Sequence, residues 1–166
     1  MLNTKDVALY FINKDTDKKL FNMRLIHKNN RDFYEGNARI NKYLQLAQNL
    51  YVAKTGKPLM NATFYAYDNG AVATEIQEDY AVLIQNKNFN SNVFDNEQLE
   101  FLDKFYKIFE NADIDELIQL SHEDPAWIEK HNYYYKPDQK MDTLTHIEQY
   151  KDQYADIIKV MSRVNV

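Results

Sequence analysis

The chain has 166 residues, 45% of them apolar, a formal charge of −5 and no cysteine, and this length predicts one compact domain over residues 1–166. The negative charge disfavours nucleic-acid binding, because sequence-independent binding depends on Lys and Arg that neutralise phosphates. The lack of thiols excludes disulfides and thiolate metal sites, and the lack of any run of about 20 apolar residues predicts a cytoplasmic protein without a membrane span.

The first third of the chain predicts two helices with an ambiguous segment between them. Residues 3–14 predict a short helix with a polar cap at Asn3 or Thr4. Residues 18–37 are predicted as a short helix and a loop, although a half-buried strand would give the same apolar pattern. From Asn37 to Thr55, apolar residues recur at helical spacing, and Gly56 predicts the end of this central helix.

The remainder predicts one tight turn and several further helices. The Asn69-Gly70 pair is typical of a small hairpin, and Thr74 with Gln77 three residues later has the arrangement of a capping box. Further helices are predicted to begin at Asp95 or Asn96, at Asp113, and, as one long helix, at Asp142 or Thr143. The predicted fold class is therefore mainly α, a single compact helical domain with room for one small β-hairpin.

The segment from residue 121 to 127 concentrates a histidine, two acids, a proline and the only tryptophan. His122 and the two acids after it are consecutive, so regular structure directs them apart and they cannot all bind one ion. Asp124 and Pro125 instead predict a helix start, with Asp124 as N-cap and Pro125 at the first helical position. Trp127 is then available for burial, and its indole N–H needs an acceptor.

Other catalytic patterns are weak. The sequence has no glycine-rich phosphate loop and no nucleophile-elbow motif. A metal-dependent hydrolase that uses His122 with nearby acids remains a less favoured alternative. Three tyrosines, Tyr133 to Tyr135, are typical of protein interfaces, although packing against the last helix would explain them equally well.

Charge is unevenly distributed along the chain. Residues 18–42 carry seven Lys and Arg against two acids, whereas residues 95–130 carry eleven acids against three lysines. Such a dipolar surface suits a protein partner or self-association into a homo-oligomer. Two ordinary solvated faces would give the same pattern, so both interpretations stay open.

Three segments, taken in order, resemble the motifs of one protein family. Residues 40–59 (INKYLQLAQNLYVAKTGKPL), 64–80 (FYAYDNGAVATEIQEDY) and 117–127 (LIQLSHEDPAW) are similar to its leading helix, its second motif and its L-(S/T)-H-x-x-x-P-W signature. The family is the Panacea domain, the SocA/GepA-like antitoxins that are often described as phage-associated proteins. The resemblance is strongest over residues 40–130, and Gln45 stands where an aromatic residue is common.

The resemblance implies an antitoxin of a toxin-antitoxin system. Such a protein is not an enzyme, needs no cofactor, and binds and neutralises a cognate protein toxin encoded beside it. An adaptor that delivers its partner to a protease is an alternative with the same binding role. The positions that match the family motifs are Lys42, Gln48, Tyr67, Gly70, His122, Pro125 and Trp127. They are candidates for toxin contacts or for architecture, and we expect His122 to form a hydrogen bond with the loop at residues 67–70.

Overall fold

The long helix α2 (Glu35–Thr55) runs through the centre of the protein, and the other elements pack around it. The computed structural model describes residues 1–86 and 88–166. The other helices are α1 (Thr4–Lys14), α3 (Thr74–Asn86), α4 (Asn96–Phe109), α5 (Ile114–His122), α6 (Pro125–Lys130), α7 (Ile147–Gln153) and α8 (Ala155–Ser162). Two antiparallel hairpins pair β1 (Leu25–Lys28) with β2 (Arg31–Tyr34), and β3 (Tyr65–Tyr67) with β4 (Gly70–Val72). The predicted fold class, mainly α, is confirmed.

Helix α2 is buried on every face along its middle. Every residue from Arg39 to Leu50 is buried. It ends at Gly56, as predicted, where a φ of 75° lets the Gly56 N–H bond to the Val52 carbonyl. A helix that is buried all round must find partners for its polar side chains as well as its apolar ones.

An aromatic cluster joins α1, α2 and α4. The rings of Phe11, Tyr43 and Phe105 lie 5.3 to 5.5 Å apart between centroids, within the range that aromatic pairs favour. The Tyr43 hydroxyl donates to the Phe109 carbonyl at 2.8 Å, and burial raises the pKa of Tyr43. The cluster therefore fixes the C-terminal end of α4 against α2.

The prediction of a short helix and a loop over residues 18–37 is wrong. The segment forms turns and then the β1–β2 hairpin. The buried Asp15 carboxylate accepts the backbone N–H groups of Lys19, Leu20 and Phe21 at 2.9 to 3.1 Å, so this backbone bonds to a side chain instead of forming a helix. Two consecutive asparagines with φ of 52° and 63° then close the hairpin, as a two-residue loop between strands requires.

The predicted long C-terminal helix is also wrong, because the structure divides it. A short 3-10 turn at Thr143–His146 precedes α7, and Tyr154, with φ −103° and ψ 11°, separates α7 from α8. The interruption allows α7 to pack on α2 while α8 packs on α4.

Most of the remaining local predictions are confirmed. The hairpin predicted at Asn69-Gly70 is confirmed, and the side chains of Asp95, Asp113 and Asp124 cap the starts of α4, α5 and α6. The capping box predicted at Thr74 is not formed, because the Ala73 carbonyl accepts the Gln77 N–H that the Thr74 side chain would have capped. No helix of the described residues is long and apolar enough to cross a bilayer.

The turn of the first hairpin gives a stability prediction. Asn30 has a φ of 63°, and glycine adopts this conformation without a Cβ clash. We expect Asn30→Gly to raise the free energy of unfolding by about 0.5 kcal/mol and Asn30→Ala to lower it by about 1 kcal/mol, as measured by urea titration. Equal stability of the two variants would contradict this account of the turn.

Candidate functional site

Asp124 lies at the centre of a buried hydrogen-bond network. Its side chain is fully buried. Oδ1 accepts from the Ala126 N–H at 2.8 Å and from the Tyr150 hydroxyl at 2.6 Å. Oδ2 accepts from the side-chain amides of Gln45 and Asn49, each at 2.8 Å. These donors stabilise the carboxylate away from water, so one side chain connects α2, α6 and α7.

Ser121 extends this network from α5 to the second hairpin. Its hydroxyl accepts the Ala71 N–H at 2.9 Å and donates to Gln45 Oε1. Gly70, next to Ala71, has a φ of 109°, and a Cβ there would lie 2.5 Å from Ser121 Oγ and 2.7 Å from Lys42 Cε. Position 70 therefore requires glycine both for its backbone conformation and for the close approach of α2 and α5.

The side chain of Lys42 ends directly beneath the second hairpin. Its side chain is 2% exposed, and Nζ donates to the Ala71 carbonyl at 2.9 Å. Burial lowers the pKa of Lys42 to about 7. In the described part of the chain no carboxylate forms an ion pair with it, and an ammonium group has three donor hydrogens. Lys42 is thus a buried amino group that donates to a neutral carbonyl group, and its burial favours the uncharged form.

Trp127 is stacked between two imidazole rings. Its ring centroid lies 4.2 Å from that of His122 and 4.3 Å from that of His131. The indole N–H donates to the Tyr67 carbonyl at 2.8 Å, and His122 Nε2 lies 2.9 Å from the Asp68 carbonyl oxygen. Since a carbonyl only accepts, Nε2 carries the proton. Burial lowers the pKa of His122, which favours the neutral ring. The hydrogen bond predicted between His122 and the 67–70 loop is present.

The other two predicted residues act on the backbone. Gln48 Oε1 accepts the N–H groups of Leu59 and Met60 at 2.9 and 3.1 Å, and its Nε2 donates to the Met60 carbonyl at 2.9 Å. Pro125 is the first residue of α6, immediately after its cap. Gln48 therefore holds the segment that follows α2, and Pro125 sets the start of α6.

An open groove of about 860 Å³ lies beside this cluster. We use "the groove" for the depression between β2, the N-terminal half of α2 and the turn of the second hairpin. Tyr133 and Tyr134, which are 49% and 100% exposed, line its edge. Arg31 in the groove pairs with Asp68 at 3.3 Å. Its volume is in the range of ordinary ligand sites.

The structure gathers most of the predicted site residues in one place. The residues around the second hairpin are Lys42, Tyr67, Gly70, His122 and Trp127. Gln48 lies farther along α2, and Pro125 lies at the adjacent start of α6. Their contacts are with the protein itself, and a role in binding a partner stays a prediction.

Sequence reasoning missed the residues that complete the network. Gln45 and Asn49 stand four apart on a helix predicted to be central, and polar residues at that spacing on a buried helix indicate an internal partner. This signal was available in the sequence. Ser121 and Tyr150 gave no comparable signal, because their bonds reach across 76 and 26 residues of chain.

The fold and these contacts define a helical scaffold in which the motif residues bind one another. The sequence model of the family described as antitoxin SocA-like, Panacea domain, matches residues 40–128, just over half of the chain. The protein belongs to the SocA-like Panacea-domain antitoxin family, as its three motifs predicted. No curated protein and no solved structure shows significant similarity to it.

The two glycines with positive φ give a paired prediction. Gly56 has a φ of 75° and open space where a Cβ would be, whereas a Cβ at Gly70 would collide with two side chains. We expect Gly56→Ala to cost about 1–2 kcal/mol from backbone strain alone, and Gly70→Ala to cost at least about 2 kcal/mol more, because overpacking adds to the strain. Urea titration of both variants measures the difference, and equal losses would show that the contact at residue 70 is unimportant.

Proposed function

We propose that this protein is an antitoxin that binds a cognate protein toxin and neutralises it by direct contact, without catalytic turnover. Membership of the antitoxin SocA-like family carries the proposal. The toxin is encoded beside the antitoxin in a bacterial or phage genome, and the two proteins meet in the cytoplasm. Neutralisation follows when the bound antitoxin covers the surface through which the toxin acts.

The contacts of His122 support a role in a binding scaffold. Its Nε2–H group donates to the Asp68 carbonyl, and one face of the ring is stacked on Trp127. These contacts hold α5, α6 and the second hairpin together, which is what a rigid docking surface needs.

The central test is co-expression with the protein encoded by the neighbouring gene. We expect that protein alone to arrest growth, and growth to recover when the antitoxin is expressed with it. The Gln85→Glu variant, which changes an exposed residue on α3, serves as a control that retains rescue. Failure of the wild-type protein to rescue growth would remove the antitoxin proposal, and a shortened toxin half-life in pulse-chase would indicate the adaptor mode instead of occlusion.

His122→Ala separates an architectural role from direct toxin contact. The substitution leaves the Asp68 carbonyl without its donor and one face of the Trp127 ring uncovered, so we expect a loss of about 1–3 kcal/mol, or roughly 2–10 °C in thermal midpoint. Toxin affinity measured well below that midpoint should change less than about threefold. An unchanged midpoint together with lost binding would assign His122 to the interface.

A further inference from the structure

Lys42 is the unusual ionisable group of the groove. The ionisable side chains that line the groove are Arg31, Asp32, Lys42, Asp68 and His131. Arg31 pairs with Asp68 at 3.3 Å, and Asp32 pairs with His27 at 2.7 Å. Within the described ranges, Lys42 is the lining Lys or Arg that has no carboxylate partner. A buried ammonium group is costly unless an opposite charge is close.

Lys42 lies at the boundary between the groove and the interior. Lys42 and Asn41 belong to the part of α2 that lines the groove, and Gly70 lies over the Lys42 side chain from the hairpin above. Lys42 is only 2% exposed. A partner group therefore has to enter between α2 and the second hairpin to reach Nζ.

The edge of the groove presents aromatic surface that folding does not use. Tyr134 is fully exposed and Tyr133 is half exposed, with Lys130 Nζ 5.8 Å from the Tyr133 ring. Tyrosines are enriched in protein interfaces, because they offer a large contact area at low entropic cost. A protein segment in the groove would bury these two rings.

We propose that the groove is the toxin-binding site, and that it receives a segment of the toxin whose Asp or Glu side chain pairs with the Lys42 ammonium group. This inference rests on the proposed antitoxin function and adds the location of the interface and the chemistry of the partner. The toxin carboxylate supplies the charge that the Ala71 carbonyl cannot supply, and Tyr133 and Tyr134 cover the segment from the edge.

Two exposed glutamines on α3 give a matched test. Gln77 lines the groove and Gln85 lies two turns farther along the same helix, outside it. Each can be changed to glutamate with the same change in charge and little effect on folding. We expect Gln77→Glu to weaken binding of the purified toxin about tenfold, because like charges oppose the entering segment, and Gln85→Glu to change it less than about twofold. Calorimetry measures both, and equal affinities for the two variants would overturn the proposal.

A double-mutant cycle then tests the lysine itself. Lys42→Met removes the charge at similar length, and each Asp and Glu of the toxin is changed in turn to its amide. We expect one toxin carboxylate whose removal weakens binding at least about tenfold against the wild-type antitoxin and hardly at all against Lys42→Met. A purely structural lysine would give additive effects, and additivity at every position would overturn the pairing.

The outcomes separate the two proposals. If the wild-type protein neither binds the toxin nor rescues growth, both proposals fall. If it does both and Gln77→Glu binds as tightly as wild type, only the groove assignment falls. Should Lys42→Met fail to fold, the comparison of Gln77→Glu with Gln85→Glu decides the question, because both positions are exposed.

Discussion

The hydrogen bonds to the buried carboxylate of Asp124 are the interactions on which the rest of this structure depends. Without its donors the acid could not be buried, and without the acid the side-chain amides of Gln45 and Asn49 would each lose their shortest acceptor inside the protein. The same carboxylate caps α6 and binds the Tyr150 hydroxyl of α7. The central helix can therefore be buried all round because Asp124 joins its polar side to two other helices, α6 and α7.

Local signals predicted those elements whose ends are determined locally. The cap at Asp95, the glycine after α2 and the Asp124-Pro125 pair each act within one turn of helix, so the sequence around them was sufficient. The prediction for residues 18–37 was wrong because the carboxylate of Asp15, which precedes that segment, accepts hydrogen bonds from backbone N–H groups within it. The prediction of one long C-terminal helix was wrong because the helix is interrupted at Tyr154, and its two parts pack against α2 and α4. The local sequence does not indicate this packing.

The site shows the same division between local and distant information. The motif residues and the bond from His122 to the second hairpin were predictable, because three ordered segments of a known family brought them together. Their supporting partners were predictable only in part. The spacing of Gln45 and Asn49 was a signal, but Ser121 reaches Gln45 across 76 residues. Lys42 was recognisable as a motif position, whereas its burial beneath the hairpin was not.

The match to the family ends at residue 128, yet Tyr150 and Tyr154 of the following segment contribute hydroxyl groups to the interior of the matched region. The segment that the family model matches is thus smaller than the packed interior. Any replacement of the C-terminal segment at this boundary would have to supply a hydroxyl donor for Asp124 and an acceptor for the Asn49 amide, or replace the acid at the same time. The C-terminal segment is therefore constrained from inside the domain.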